Sequence, residues 1–153
     1  MTQLSIADFA DRISQILPLI MKEFVRRQLK GLYKDKVTLP QFLILEFLHK
    51  EGQSRMSFLA QFMNVTTAAM TGIADRLVRD GYVKRVYDPK DRRIIKIELT
   101  GRGNELVKKL HGERRKMVMR IFGKISEADR RDYLRILMQI KEILSKEEEE
   151  INR

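Results

Sequence analysis

The sequence predicts a mainly α-helical chain with one small β-hairpin, an α+β arrangement in a single folding unit. Three observations predict it. Apolar side chains recur at helical spacing along most of the 153-residue chain. The period drops from 3.6 to 2 only between Tyr82 and Leu99. The length suits one core better than two.

In the first element, Ile13, Leu17, Ile20 and Phe24 recur at i, i+4, i+7 and i+11, one stripe of a helix from Ile6 to about Leu32. Pro18 within it should kink the helix or mark its effective start. Gly31 and the polar Lys34-Asp35-Lys36 run then signal a stop. Thr38-Leu39-Pro40-Gln41 reads as the next helix start, with a Thr cap, a Gln completing the capping box and a first-turn proline. That helix passes through Phe42, Leu45, Phe47 and Leu48 and stops at Gly52.

Two short helical patterns follow, about Ser57 to Phe62 and Thr66 to Arg79, separated by Met63-Asn64-Val65. This is the layout of a helix-turn-helix, with Ala60 small where the helices cross closely. Met70, Ile73 and Leu77 of the second helix should face the core, leaving Thr67, Ala68, Thr71 and Asp75 outward. After Asp80-Gly81, Tyr82 to Tyr87 and Ile94 to Leu99 read as strands. In the second, Ile95, Ile97 and Leu99 face one way and Lys96 and Glu98 the other. The charged tip Asp88-Pro89-Lys90-Asp91-Arg92-Arg93 between them makes the motif winged. Thr100 can cap a helix to about Phe122, and Ser126 with Asp129 forms a second capping box. In the last helix Tyr133, Leu137, Ile140 and Leu144 repeat the phase of the first. The two terminal helices are therefore expected to pack in a helical layer, with Glu147 to Glu150 as a fraying, solvated end.

The formal net charge is +10 and the sequence pI about 10.0, which suggests a polyanionic partner. Its distribution says more. Between Arg76 and Lys96 eight basic residues face three acids, a net of +5, and Arg102 to Arg120 supplies another +5. There is no cysteine, which excludes disulfides, thiolate metal sites and cysteine redox sensing. No apolar run approaches the roughly 18 residues of a membrane span, and the N-terminus lacks the order of a secretion signal. A cytoplasmic protein without membrane contact is expected.

A helix can enter the major groove of double-stranded DNA, where each base pair shows a distinct set of donors, acceptors and methyls. The exposed side of the Thr66 to Arg79 helix offers Thr66, Thr67, Ala68 and Thr71, whose short side chains let the backbone approach base edges, and Arg76 for a phosphate. Thr66 also suits the role of cap. At the hairpin tip Lys90, Arg92 and Arg93 crowd a loop that folding does not require to be basic, and arginine suits a narrow minor groove. Asp91 among them is expected to orient Arg93 by a carboxylate–guanidinium pair. Lys84 and Arg85 are candidates for phosphate contacts, which position a protein without reading sequence. Arg79 reads as an ordinary exposed charge.

The segments LPQFLILEFL and SFLAQFMNVTTAAMTGIADRLVRDGYVKRVYDPKDRRIIKIELTGRG resemble the MarR family of multiple-antibiotic-resistance-type regulators over Leu39 to Gly103. The most specific match is the wing, Asp88-Pro89-x-Asp91-Arg92-Arg93, followed by Leu99-Thr100-x-x-Gly103. The resemblance implies that Asp91 supports Arg93 in a minor groove, that the terminal helices form a homodimer, and that small aromatic or anionic effectors release DNA. It leaves the effector-binding residues unknown. Gly72 departs from the larger polar or basic residue many members carry there.

Enzyme readings lack residues. Gly101-x-Gly103 has no third glycine at Leu106, no phosphate-binding loop occurs, and no nucleophile has a base. No cofactor or metal is expected, since His49 and His111 are the only histidines and read as surface or structural residues. The sequence is thus expected to form one chain over 1–153, with a winged helix-turn-helix over 38–100 and helical dimerisation segments over 1–34 and 101–150. Its expected role is a ligand-responsive repressor, acting as a homodimer on a pseudo-palindromic operator. A second reading is a winged-helix module that docks on an acidic protein or RNA with no preference among duplexes beyond electrostatics.

Overall fold

The computed structural model describes residues 4–151, so the ends of the expected 1–153 unit lie outside the described residues. The elements run α1 (Ile6–Lys34), α2 (Leu39–Glu51), β1 (Gln53–Arg55), α3 (Met56–Phe62), α4 (Thr67–Arg79), β2 (Val83–Tyr87), β3 (Ile95–Leu99), α5 (Gly101–Phe122) and α6 (Glu127–Ile151). They divide into two compact units, 1–113 and 114–153.

Each start has a local cause. Helix α1 passes through Pro18 without ending, so this proline does not mark its start. Thr38 and Gln41 make the reciprocal capping box of α2: the Thr38 hydroxyl accepts from the Gln41 N–H and the Gln41 side chain from the Thr38 N–H, at 3.4 and 2.8 Å. Helix α2 closes on Gly52, whose N–H donates to the Leu48 carbonyl with φ at 88°. Asn64 supplies a left-handed residue, φ 52°, in the turn between α3 and α4, a conformation asparagine tolerates better than branched residues. Helix α6 includes the Glu147 to Glu150 run, which lies in its last turns.

The sheet is larger than the expected hairpin. Strands β2 and β3 pair antiparallel from Val83↔Leu99 to Tyr87↔Ile95, and β1 adds to the other side of β3 through Gln53↔Glu98, Ser54↔Ile97 and Arg55↔Lys96. The order β1-β3-β2 makes β3 central. Three residues are too few to display an alternating pattern, so β1 left no periodic signal.

The core of the first unit joins these pieces. Phe42, Ile44, Leu45 and Leu48 of α2 are buried with Leu59 and Ala60 of α3, Met70, Ala74 and Leu77 of α4, and Val83 and Ile97 of the sheet. Ile73 is half-buried against this cluster. Leu106, Val107 and Leu110 seal it from α5. The junction between β3 and α5 is tight. The Thr100 hydroxyl donates to the Gly81 carbonyl at 2.6 Å and accepts the Gly103 N–H at 3.1 Å. A Cβ on Gly103 would lie 2.0 Å from the Tyr82 carbonyl oxygen, so only glycine fits there. The Leu99-Thr100-x-x-Gly103 pattern is thus the joint that fixes the sheet on α5.

In α1, Ile13, Leu17 and Ile20 are exposed and Phe24 is half-buried. In α6, Tyr133, Leu137, Ile140 and Leu144 are all exposed, with Tyr133 stacked on Phe122 of α5.

Candidate nucleic-acid interface

Helix α4 begins at Thr66, whose hydroxyl accepts the Ala69 N–H at 3.1 Å. The cap leaves Thr67 and Ala68 exposed in the first turn. Half-buried Thr71 donates its hydroxyl to the Thr67 carbonyl at 2.9 Å, which leaves the oxygen lone pairs and the methyl for a partner. Arg76 is exposed and has no ion-pair partner among the described residues. Arg79 pairs with Asp80 at 3.1 Å, as suits an ordinary surface charge.

The wing is organised by its two aspartates. Asp88 accepts the Lys90 N–H at 2.9 Å and lies 3.4 Å from the Lys96 ammonium. These contacts, the main-chain one first, hold its carboxyl below the usual aspartate range against an opposing cost of burial. Asp91 accepts the Arg93 N–H at 2.9 Å, and its carbonyl accepts the Ile94 N–H at 3.0 Å. This corrects the expected carboxylate–guanidinium pair. An aspartate in a turn meets the N–H two residues on before any longer group, so Asp91 shapes the loop and leaves the Arg93 guanidinium free to reach outward. Lys90, Arg92 and Arg93 are all exposed, with no ion pair among the described residues.

The two phosphate candidates are less available than their sequence suggests. Lys84 lies across the strands from Glu98 and pairs with it at 2.8 Å. Arg85 is ion-paired to Asp75, which ties β2 to the outward face of α4. The structure nevertheless brings Arg85 and Arg93 together with Thr67 and Thr71 around an open groove of about 380 Å³, whose other walls include Arg55 and Ser57. Arg55 and Ser57 were missed by sequence reasoning. They reach this groove because β1 pairs with β3 at Arg55↔Lys96, a pairing with no periodic signature.

The histidines sit elsewhere, between α2 and α5. His111 Nε2 is 2.9 Å from the Glu46 carboxylate and His49 Nδ1 is 3.0 Å from Asn104 Oδ1, with the two rings edge to face at 5.8 Å. Among the described residues no group of three His, Cys, Asp or Glu side chains is placed to hold a metal, and no helix is long and apolar enough to cross a membrane.

A family model described as the MarR family matches residues 37–95, from the end of the α1–α2 loop to the start of β3. A crystal structure of a MepR like protein complexed with pseudoligands is 32% identical, covering 88% of this chain and 94% of that one with a TM-score of 0.56. The chain belongs to the MarR family. A crystal structure of transcriptional regulator Tm0710 from Thermotoga maritima shares 27% identity, with a TM-score of 0.74 over 89% of this chain and 96% of that chain. The HTH-type transcriptional repressor MdtR of Bacillus subtilis (strain 168) is 28% identical over 113 residues, 74% of this chain and 73% of the relative. Against other curated relatives the chain spans just under two thirds of their length, 64% and 65%. The names of these relatives are those of helix-turn-helix transcriptional regulators and repressors, not of enzymes.

Proposed function

We propose that this MarR family chain is a ligand-responsive repressor that binds a pseudo-palindromic operator as a homodimer, with α4 in the major groove and the wing in the flanking minor groove. The observation that carries the proposal is the pairing of two surfaces: Thr67 and Thr71 of α4 share one groove with Arg93 of a wing whose Lys90, Arg92 and Arg93 have no ion pair among the described residues. In this reading Thr66, Thr67, Ala68 and Thr71 present the backbone and short side chains to base edges. Arg93, Arg92 and Lys90 enter the minor groove, and Arg76, Lys84 and Arg85 meet phosphates. Arg85 would do so while held by Asp75.

Residues 38–100 then form the DNA-binding region and 1–34 with 101–150 the dimerisation region. The support for a homodimer is the apolar surface left on α1 and α6, where Leu17 is 45% and Leu144 59% exposed. Such area costs free energy in water and is relieved by association. Two-fold symmetry sets half-sites one helical turn apart, roughly 34–36 Å. Repression is supported by the name of MdtR, and response to a small aromatic or anionic effector by the family resemblance. A cytoplasmic location accords with action on DNA.

Selection of tight-binding duplexes from a random pool, followed by a salt titration of the best binder, tests the proposal. The expected result is a two-fold symmetric site bound by two chains with a steep salt slope. Enrichment of no sequence, with binding that depends on salt alone, would sink it and favour a module that docks on an acidic protein or RNA.

A further inference from the structure

Helix interiors disfavour glycine, because the unfolded chain gains freedom from it and the helix gains no side chain. A folded chain keeps a mid-helix glycine for a left-handed backbone or for lack of room. Neither applies to Gly72. It is not among the positive-φ glycines, and a Cβ built on it meets no heavy atom within 4 Å. It lies well inside α4, away from both caps.

Its direction follows from the helix itself. Met70 and Ala74, two residues to either side, are buried in the core. At about 100° per residue, Gly72 projects from the opposite side of α4. Ala68 and Arg76, one turn before and after, are exposed on that side. Gly112 of α5 also faces open space, but it lies outside the surface shared by α4 and the wing.

We infer that Gly72 is a specificity-determining residue, whose missing side chain sets how deeply α4 seats in the major groove and lets a base edge meet the helix backbone. The inference rests on the DNA-binding reading above and deepens it. A methyl at this point stands between the helix and the bases while meeting no other element among the described residues. Folding and DNA reading therefore respond to it in opposite directions, a combination that a purely structural role does not produce.

The test compares Gly72→Ala, Gly72→Ser and Gly72→Gln with the wild type in three measurements. These are the melting temperature, the affinity at fixed salt for the duplex the wild type selects, and the affinity for an unrelated duplex. Gly72→Ala should raise the melting temperature by about 2–4 °C. It should weaken the selected duplex by about tenfold or more and leave the unrelated duplex unchanged. The loss should deepen through serine to glutamine, and a fresh selection with Gly72→Gln should return different bases in each half-site. Equal affinity of Gly72→Ala and wild type for the selected duplex overturns the inference, as does an equal loss on both duplexes. A wild type that selects no duplex overturns the DNA-binding reading first and this inference with it, so the two failures are told apart.

Discussion

Replacing Gly103 by alanine puts a methyl where the joint between sheet and α5 has no space. The added Cβ would lie 2.0 Å from the Tyr82 carbonyl oxygen and 3.1 Å from Leu99 Cδ2. A carbon and a carbonyl oxygen settle no closer than about 3.3 Å, so α5 must retreat by roughly an ångström or more. That carbonyl also accepts the Thr100 N–H at 3.0 Å, and the neighbouring Gly81 carbonyl accepts the Thr100 hydroxyl, so retreat strains both bonds. Overpacking of this kind costs about 1–3 kcal/mol, and loss of one bond about 1 kcal/mol more. Alanine returns little of this in a first helical turn. The expected destabilisation is about 2–4 kcal/mol, a fall in melting temperature of roughly 4–16 °C for a chain of this size. Thermal and urea unfolding followed by circular dichroism would measure it. Gly101→Ala, two residues away with nothing within 4 Å, is the matched control and should change little. If Gly103→Ala melted within 2 °C of the wild type, close approach would not be the reason for glycine at this joint.

Other perturbations separate the wing, the cap and the charges. Arg93→Ala should weaken the selected duplex by about tenfold with the melting temperature unchanged, since its guanidinium has no ion-pair partner among the described residues; equal affinity at fixed salt would remove it from the interface. Asp91→Ala should act in the same direction by loosening the loop, and a double-mutant cycle with Arg93→Ala should show losses smaller than their sum. Thr66→Ala removes the α4 cap and should cost about 1 kcal/mol, seen as a melting temperature lower by about 2–4 °C. The Glu23 carboxyl is held down from 4.5 to about 2 by hydrogen bonds from Arg26 and Arg27. A depressed carboxyl stabilises the fold above its unfolded value and loses that contribution as pH falls through the folded one, so the effect is present above about pH 4.5 and fades toward pH 2. The Glu23→Gln variant should therefore show a flatter fall in melting temperature over that window, and an unchanged slope would contradict the assignment.

Much of the chain was legible because its signals are local. The Thr38 and Thr66 caps, the stop at Gly52, the stripe Met70 and Leu77, and the alternation around Ile97 each depend on residues within one or two turns or one strand. Strand β1 was not legible, since three residues carry no period and become a strand only by pairing with β3. The availability of the basic residues was not legible either. Sequence counted Lys84 and Arg85 with Lys90, Arg92 and Arg93, but only the fold reveals that the first two are matched by Glu98 and Asp75.

The sequence by itself determined the order of helices and strands, the caps that begin them and the basic wing, because periodicity, capping and charge are properties of neighbouring residues. Only the tertiary structure decided that Arg55 joins the groove beside α4, that Gly103 is crowded and that Gly72 is not. Each of these depends on distances between segments far apart in the chain, or on space that no neighbour in sequence reports.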